Sequence, residues 1–383
     1  MTPQLKVNGL VNAVLGVSAL LVVVSLGVAG YSLMTQGHSA FNTTSDGMFW
    51  GLPIVTYDYL VVMSTGLVFV ACLAFVFDLT EFYPVAKRCL WLGFATLIAG
   101  GAALMLELGH PLRSLYAIPL NMQYRSPMFW KVLFIGAYVI LLLVLFFRIS
   151  TAEWRRRSAR PVAIALFFAA LGLVFIAGAL FGMMAMRPFW YDGLMPVYFL
   201  VEGVMTGLAF AILVTHVAHG FNQTAMPAPV RALVTGTMPK LFAAVIGVQI
   251  VMLGARAVAG AWSNADGLQV WDEILASPLF WLEAGLGLAA PFLLMLGRTR
   301  ANSVNQALSA VLVLLGGFIG RYEFITGGQS VPLFKGSWVP GFVEYAPSFT
   351  EWMLTLLAVS IAFAIYAVGE KLFDLSATPR QSA

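Results

Sequence analysis

Ionisable side chains are scarce in the apolar segments of this sequence, and they gather toward one end of each. Asp58 lies about five residues into one apolar run, and Glu107 lies near the end of the next. His110 and Arg113 follow in Leu108-Gly109-His110-Pro111-Leu112-Arg113. Glu107 and His110 are three positions apart, so they share a helix face if the helix continues that far. Glu202 is about nine residues into a later run, at about 13–14 Å depth by helix rise. Glu283 is about five residues into another, and Arg256, Arg321 and Glu323 close two further runs at the same end. A carboxylate and an imidazole converging in an apolar pocket suit a molecule with an apolar tail and a protonatable head, and a quinone has both. Quinol oxidation releases two protons and two electrons, so such a site needs proton acceptors of adjustable pKa. Asp58, Glu107 and His110 are therefore the candidate proton-exchanging residues. The competing reading is structural, with acids and arginines paired to hold a bundle together. It suits Glu323 with Arg321 or Arg256 best.

Resident redox centres are not expected. The four histidines are His38, His110, His216 and His219. His38 falls in a connection, His110 at one end of a run, and His216 and His219 near the other end of a single run. No cross-helix pair at matching depth is available for haem. Metal-site spacing is absent too. The two cysteines, Cys72 and Cys89, are too few for an iron–sulfur cluster, and they lie in or beside apolar runs. Electrons would have to pass to a partner chain.

The elements that must position these groups are membrane helices. The chain has 383 residues, 60% hydrophobic and 10% charged, a composition that belongs in a bilayer. Its net charge of +4 does not point to nucleic acid, because the charges cluster between apolar segments. Ten spans are expected, at about 9–33, 53–77, 86–108, 127–148, 161–184, 193–217, 239–260, 278–297, 303–320 and 348–369. The first is too long for a signal-peptide core and reads as a retained helix. No connection is long enough for a soluble domain. Lys and Arg are twice as frequent on the side that holds both termini, Lys6, Arg155 and Arg380 among them, as on the other, which carries Lys335. That excess predicts cytoplasmic termini and an inner, cytoplasmic membrane location, with the acidic cluster toward the outer leaflet.

The sequence also repeats itself. Ser126-Pro127-Met128-Phe129-Trp130 recurs as Ser277-Pro278-Leu279-Phe280-Trp281. Ser is a good N-cap, Pro at the first helical position gives up an N–H that would be unpaired anyway, and Phe-Trp suits the membrane interface. Thr65-Gly66-Leu67 recurs as Thr206-Gly207-Leu208, with Tyr57 and Tyr198 at the same offset of 141. Phe49-Trp50 and Phe189-Trp190 precede these runs, and Arg148 and Arg298 close the two Ser-Pro helices. The pattern predicts an all-α integral membrane protein with ten transmembrane helices: two parallel-repeat four-helix bundles plus two peripheral helices. The expected units are helix 1 (1–40), a first bundle of helices 2–5 (41–185), a second of helices 6–9 (186–325), and helix 10 with the tail (326–383). A thin polar line is also visible, Glu202, Thr206 and His216 on helix 6, with Asp58, Thr65 and Cys72 on one face of helix 2. Either is a possible proton path, or ordinary packing.

Glu107-Leu-Gly-His-Pro-Leu-Arg113 followed by Ser126-Pro-Met-Phe-Trp130 resembles the acidic-x-Gly-Arg-Pro-x-Arg and Ser-Pro-Met-x-Trp signature of the NrfD/PsrC membrane subunits. Arg187-Pro-Phe-Trp190 resembles that family too. Arg321-Tyr-Glu-Phe-Ile-Thr-Gly327 and Tyr345-Ala-Pro-Ser-Phe-Thr-Glu351 are similar to its ten-helix branch typified by HybB and DsrP. The resemblance covers nearly the whole chain. It implies a quinone-binding subunit (menaquinone or ubiquinone) without haem or iron–sulfur cluster of its own. It also implies a ferredoxin-like iron–sulfur partner, with a molybdopterin or cytochrome subunit beyond it. One departure stands out: the family's usual Gly-Arg-Pro is here Gly109-His110-Pro111.

The expectation is then a quinone-reactive anchor of a respiratory oxidoreductase. Asp58, Glu107 and His110 would exchange protons, and Tyr57 and Arg113 would orient the head group, with Glu202 and Glu283 as further contacts. The rival class is a secondary transporter, which also uses duplicated bundles and buried carboxylates but tends to place charge at the midplane and to break helices in matching places. Pro291 in helix 8 has no counterpart in helix 4. A purely structural anchor would bind no quinone analogue.

Overall fold

The computed structural model describes residues 9–44, 47–150, 156–263, 267–332 and 341–378. Ten helices among them are long and apolar enough to cross a membrane. They are α1 (Gly9–Gln36), α2 (Leu52–Phe75), α3 (Tyr83–Glu107), α4 (Pro127–Ser150), α5 (Arg156–Gly182), α6 (Met195–Ala218), α7 (Thr237–Ala261), α8 (Pro278–Leu296), α9 (Ser303–Ser330) and α10 (Phe349–Leu372). No strand occurs among the described residues. The chain is an all-α, multi-pass integral membrane protein. With ten crossings, α1 starts and α10 ends on one face, here called the terminal face; the other is the far face. Lys6, Arg155, Lys335 and Arg380 lie outside the described residues.

The helix starts follow local chemistry. Proline occupies the first turn of α2, α3, α6 and α8, where its missing N–H costs nothing. Ser277 caps α8 by accepting from Leu279 N at 3.2 Å, and Asn302 caps α9 through Val304 N at 2.8 Å. Ser348 and Glu351 form a reciprocal capping box on α10. The two Ser-Pro pentapeptides behave alike. Trp130 donates from its indole to the Tyr124 carbonyl at 2.8 Å, and Trp281 to the Leu275 carbonyl at 2.9 Å.

Two helices differ from expectation. α9 runs to Ser330 rather than 320, so Arg321 and Glu323 sit inside a helix and a unit boundary near 325 would cut it. The apolar run stops at these charges, but the helix does not, because the charges find partners. α8 is π-helical over Leu282–Ala289, just ahead of Pro291. A proline lacks the N–H for its i−4 carbonyl and crowds it, and widening the preceding turns relieves both.

α2, α3, α4 and α5 pack round in one ring, and α6, α7, α8 and α9 in another. α10 lies between α1 and α3. The rings meet where α2 crosses α6. There a Cβ on Gly66 would collide with the backbone of Gly203, and one on Gly207 with the backbone of Gly66. Only glycine permits so close an approach. Trp50 and Trp190 stack just ahead of the far-face starts of the same two helices, with centroids 5.6 Å apart and planes at 23°.

Candidate functional site

Four charged side chains meet between the rings, all buried. Arg321 of α9 donates from Nη1 to Asp58 Oδ2 of α2 at 3.0 Å. Its Nε donates to Glu202 Oε1 of α6 at 3.3 Å, and its Nη2 bonds Glu202 Oε2. The fork of a guanidinium suits this two-carboxylate grip. The ring of Phe199 lies 3.8 Å from the guanidinium carbon and covers its other face. Lys131 of α4 completes the group, its Nζ 3.7 Å from Asp58 Oδ1, hydrogen-bonded to Tyr57 and 4.9 Å from that ring's centre. Two cations balance two anions, which is what makes burial of all four tolerable. By helix rise each lies about 6–14 Å from the far-face end of its helix.

The structure does not bring Asp58, Glu107 and His110 together. Asp58 is held by Arg321 and Lys131. Glu107 is the last residue of α3, and its carboxyl group neighbours His38 and Glu351 instead. His38 Nε2 donates to the Glu107 carbonyl at 2.6 Å. The helix ends at Glu107, so the i, i+3 relation to His110 is lost. His110 is exposed, with non-helical φ −137 and ψ 68, ahead of a short helix Pro111–Leu120. Arg113 is exposed on that helix. Glu107, His110 and Arg113 thus lie at the far-face rim, and Tyr57, Asp58 and Glu202 in the core. Glu283 is buried on the π-helical stretch of α8, its carboxyl group against Gly320 of α9. Arg321 pairs with Asp58 and Glu202, not with Glu323, which is hydrogen-bonded by Ser277 and the backbone of Phe280. Arg256 sits among the rings of Phe189, Tyr198, Trp271 and Phe324 at 5.1–5.7 Å.

Lys131 was missed as a site residue. In the sequence it counts simply as a basic residue near a helix start. The available signal was its place one residue beyond Phe129-Trp130, inside an apolar segment. On α2, Thr65 donates to its own helix at Val62 and Cys72 faces the Ala163 carbonyl at 3.8 Å, so both are satisfied by packing.

Beside the core, Glu351 clamps the far-face connections. It accepts from Tyr345 OH at 2.5 Å, Ser348 N at 2.7 Å and Asn42 N at 3.2 Å. Tyr345 OH in turn accepts from Leu52 N at 2.7 Å. Burial, then the Glu351 carboxylate, push the Tyr345 hydroxyl well above its ordinary range. A separate groove of about 400 Å³ between α2, α5, α6 and α7 is wholly apolar, lined by residues such as Phe69, Phe167, Val204 and Val245.

A ten-helix membrane domain with a buried, charge-balanced core toward one face is the class these features define. The chain belongs to the NrfD polysulphide reductase family, which matches residues 40–332. It is 22% identical to a selenate reductase subunit of Mesobacillus selenatarsenatis, over 94% of this chain and 92% of that one. It is 23% identical to the Hdr-like menaquinol oxidoreductase integral membrane subunit of Archaeoglobus fulgidus, over 90% and 89%. It is 25% identical to a putative dimethyl sulfoxide reductase membrane subunit of Halobacterium salinarum, over 94% and 91%.

Proposed function

We propose that this chain is the membrane anchor of a respiratory oxidoreductase complex and exchanges hydrogen with the quinone pool. The observation that carries this reading is Lys131 and Tyr57 set against Asp58 at a loosely packed end of the first ring. Between Lys131 and Tyr138 no residue of α4 is fully buried, and Leu104 to Glu107 of α3 are half-buried or exposed. A head group arriving from lipid between α3 and α4 reaches Tyr57 and Lys131 first. Both can donate to a quinone carbonyl oxygen, and Asp58 behind them can take a proton. Quinol would supply two protons and two electrons to such a site. Glu107, with His38 and His110 at the rim, passes protons to water, and Arg113 faces the head group's entry. Glu202 holds Arg321 in place, and Glu283 is a further buried acid of the second ring. The name of the Archaeoglobus relative, a menaquinol oxidoreductase subunit, supports this assignment.

The electron partner in this reading is a ferredoxin-like iron–sulfur subunit docked on the far face, with a molybdopterin or cytochrome subunit beyond. The terminal face is cytoplasmic and the membrane is the inner one. The two rings are copies of one four-helix unit. Matching indole bonds of Trp130 and Trp281 and the mutual contact of Gly66 and Gly207 support the duplication.

The test is binding of a naphthoquinol to the full chain in nanodiscs, with quinol-linked electron transfer in membranes that hold the assembled complex. Asp58→Asn and Lys131→Met weaken both. Glu107→Gln slows turnover while binding is kept. Unchanged binding in Asp58→Asn and Lys131→Met overturns the assignment. The alternative is a secondary transporter, favoured by one observation, the π-helical break beside buried Glu283 in α8. Solute uptake by the purified chain, independent of quinol, would select it.

A further inference from the structure

The second ring contains polar groups that neither the charged core nor helix packing uses. Gln249 of α7, Ser309 of α9 and His216 of α6 are almost fully buried, at 1%, 0% and 0% exposure. Gln249 Oε1, Ser309 Oγ and His216 Nδ1 have no hydrogen-bond partner among the described residues. Each such group costs about 1–3 kcal/mol if left dry. Three on the inward stripes of three facing helices are not three separate accidents. Gln249 lies in the stripe Phe242, Ile246, Gln249, Leu253, and Ser309 in the stripe Gln306, Ser309, Val313, both buried throughout.

Their levels form a ladder. By helix rise, Gln306 and Ser309 lie about 5 and 9 Å from the terminal-face end of α9. Gln249 and Thr206 both lie about 18 Å from the same face, and Glu202 about 24 Å. At the foot, His216 Nε2 is paired with Gln306 Oε1 at 2.9 Å, leaving Nδ1 for another partner. Phe221, partly exposed at the surface, stacks beneath the His216 ring at 6.0 Å. At the head, Thr206 donates to the Glu202 carbonyl at 2.8 Å, and a hydroxyl that donates can also accept. A site lined by several polar groups, each short of a partner, holds water rather than empty space.

We propose that the second ring encloses a file of water from His216–Gln306 to Glu202–Arg321, and that protons reach Glu202 from the terminal face through it. Each hop breaks one O–H bond and forms the next. One proton leaves the bulk phase and one arrives at the carboxylate, with no electron moved. The groups facing Glu202 are Asp58 and Tyr59 on α2, Tyr198 on its own helix, Arg256 on α7, Glu283 on α8 and Arg321 on α9. His216 faces Gln306 and, one turn on, His219. This proposal does not depend on quinone binding.

The test uses the full chain in lipid nanodiscs and needs no partner. Hydroxyl-radical footprinting oxidises side chains that touch water. His216 is expected to oxidise several-fold faster than Tyr138 and Phe146, which are equally buried, at 0% exposure, in the first ring. Equal rates overturn the water file, and this readout needs no variant. The second arm follows the Glu202 carboxyl stretch by infrared spectroscopy after a pH step, the band being identified by its loss in Glu202→Gln. Gln249→Leu with Ser309→Ala is expected to slow its response several-fold. An unchanged response overturns the route to Glu202 even where the footprint shows water.

Discussion

Arg321 Nη1 bonds Asp58 Oδ2 at 3.0 Å across 263 positions of chain, and the same guanidinium holds Glu202. One side chain of the second ring therefore neutralises an acid in each ring. The contact sits in lipid-spanning segments, where an unpaired charge has no water to turn to. Arg321 is the joint on which both the site and the ring-to-ring packing depend.

Removing that joint is expected to be severe. Arg321→Ala leaves buried Asp58 with Lys131 and takes from buried Glu202 its ion-pair partner, at a cost of about 3–5 kcal/mol. Thermal unfolding in nanodiscs should show a large drop. Arg321→Lys should recover only part of it, since an ammonium cannot grip two carboxylates as a planar fork does. A native-like melting profile for the alanine variant would contradict the proposed joint.

Asp58→Asn keeps the shape of the site and removes its proton acceptor. Quinol-linked turnover of the assembled complex should fall by about 10²–10⁴-fold, in the range for loss of a general base. His110→Ala, an exposed rim residue, should leave naphthoquinol affinity unchanged. Titration of the two variants side by side separates core from rim.

The ring-to-ring crossing tolerates no side chain at Gly66. Gly66→Ala drives a methyl into the Gly203 carbonyl and should cost about 1–3 kcal/mol or more. Gly101→Ala is the control, since a Cβ there meets nothing within 4 Å. Melting temperatures of the two should diverge clearly.

Tyr345 links α10 to the start of α2 in its neutral form. Its folded pKa is raised, so its stabilising contribution is fully present below the unfolded value of about 10 and is lost as pH rises above it. Stability should therefore fall between about pH 10 and the folded pKa, because the unfolded chain releases a proton that the folded one keeps. Tyr345→Phe should flatten this alkaline fall. At neutral pH it should cost about 1–3 kcal/mol, as Leu52 N loses its acceptor and Glu351 a donor. Unfolding at several alkaline pH values checks both statements.

Ten membrane crossings, their order and most of their ends are legible in the residues, because span length and helix capping are local properties. Pro127 and Pro278 open α4 and α8 where the Ser-Pro pentapeptides predict it. The far-face ends of α3 and α9 were less legible. A reading by apolar run stops α9 at its first charge, whereas the helix carries Arg321 and Glu323 onward to Ser330. The acids Asp58, Glu202 and Glu283 were visible as costly residues in lipid, but not their partners. Lys131 looked like an interfacial lysine, and Glu107 with His110 looked like a helical pair. Whether a buried charge is paired depends on helices distant in sequence, and spacing along one helix carries no record of its neighbours. The folded arrangement alone sets Lys131 beside Asp58, parts Glu107 from it, and lays Arg321 between two acids that lie on separate rings.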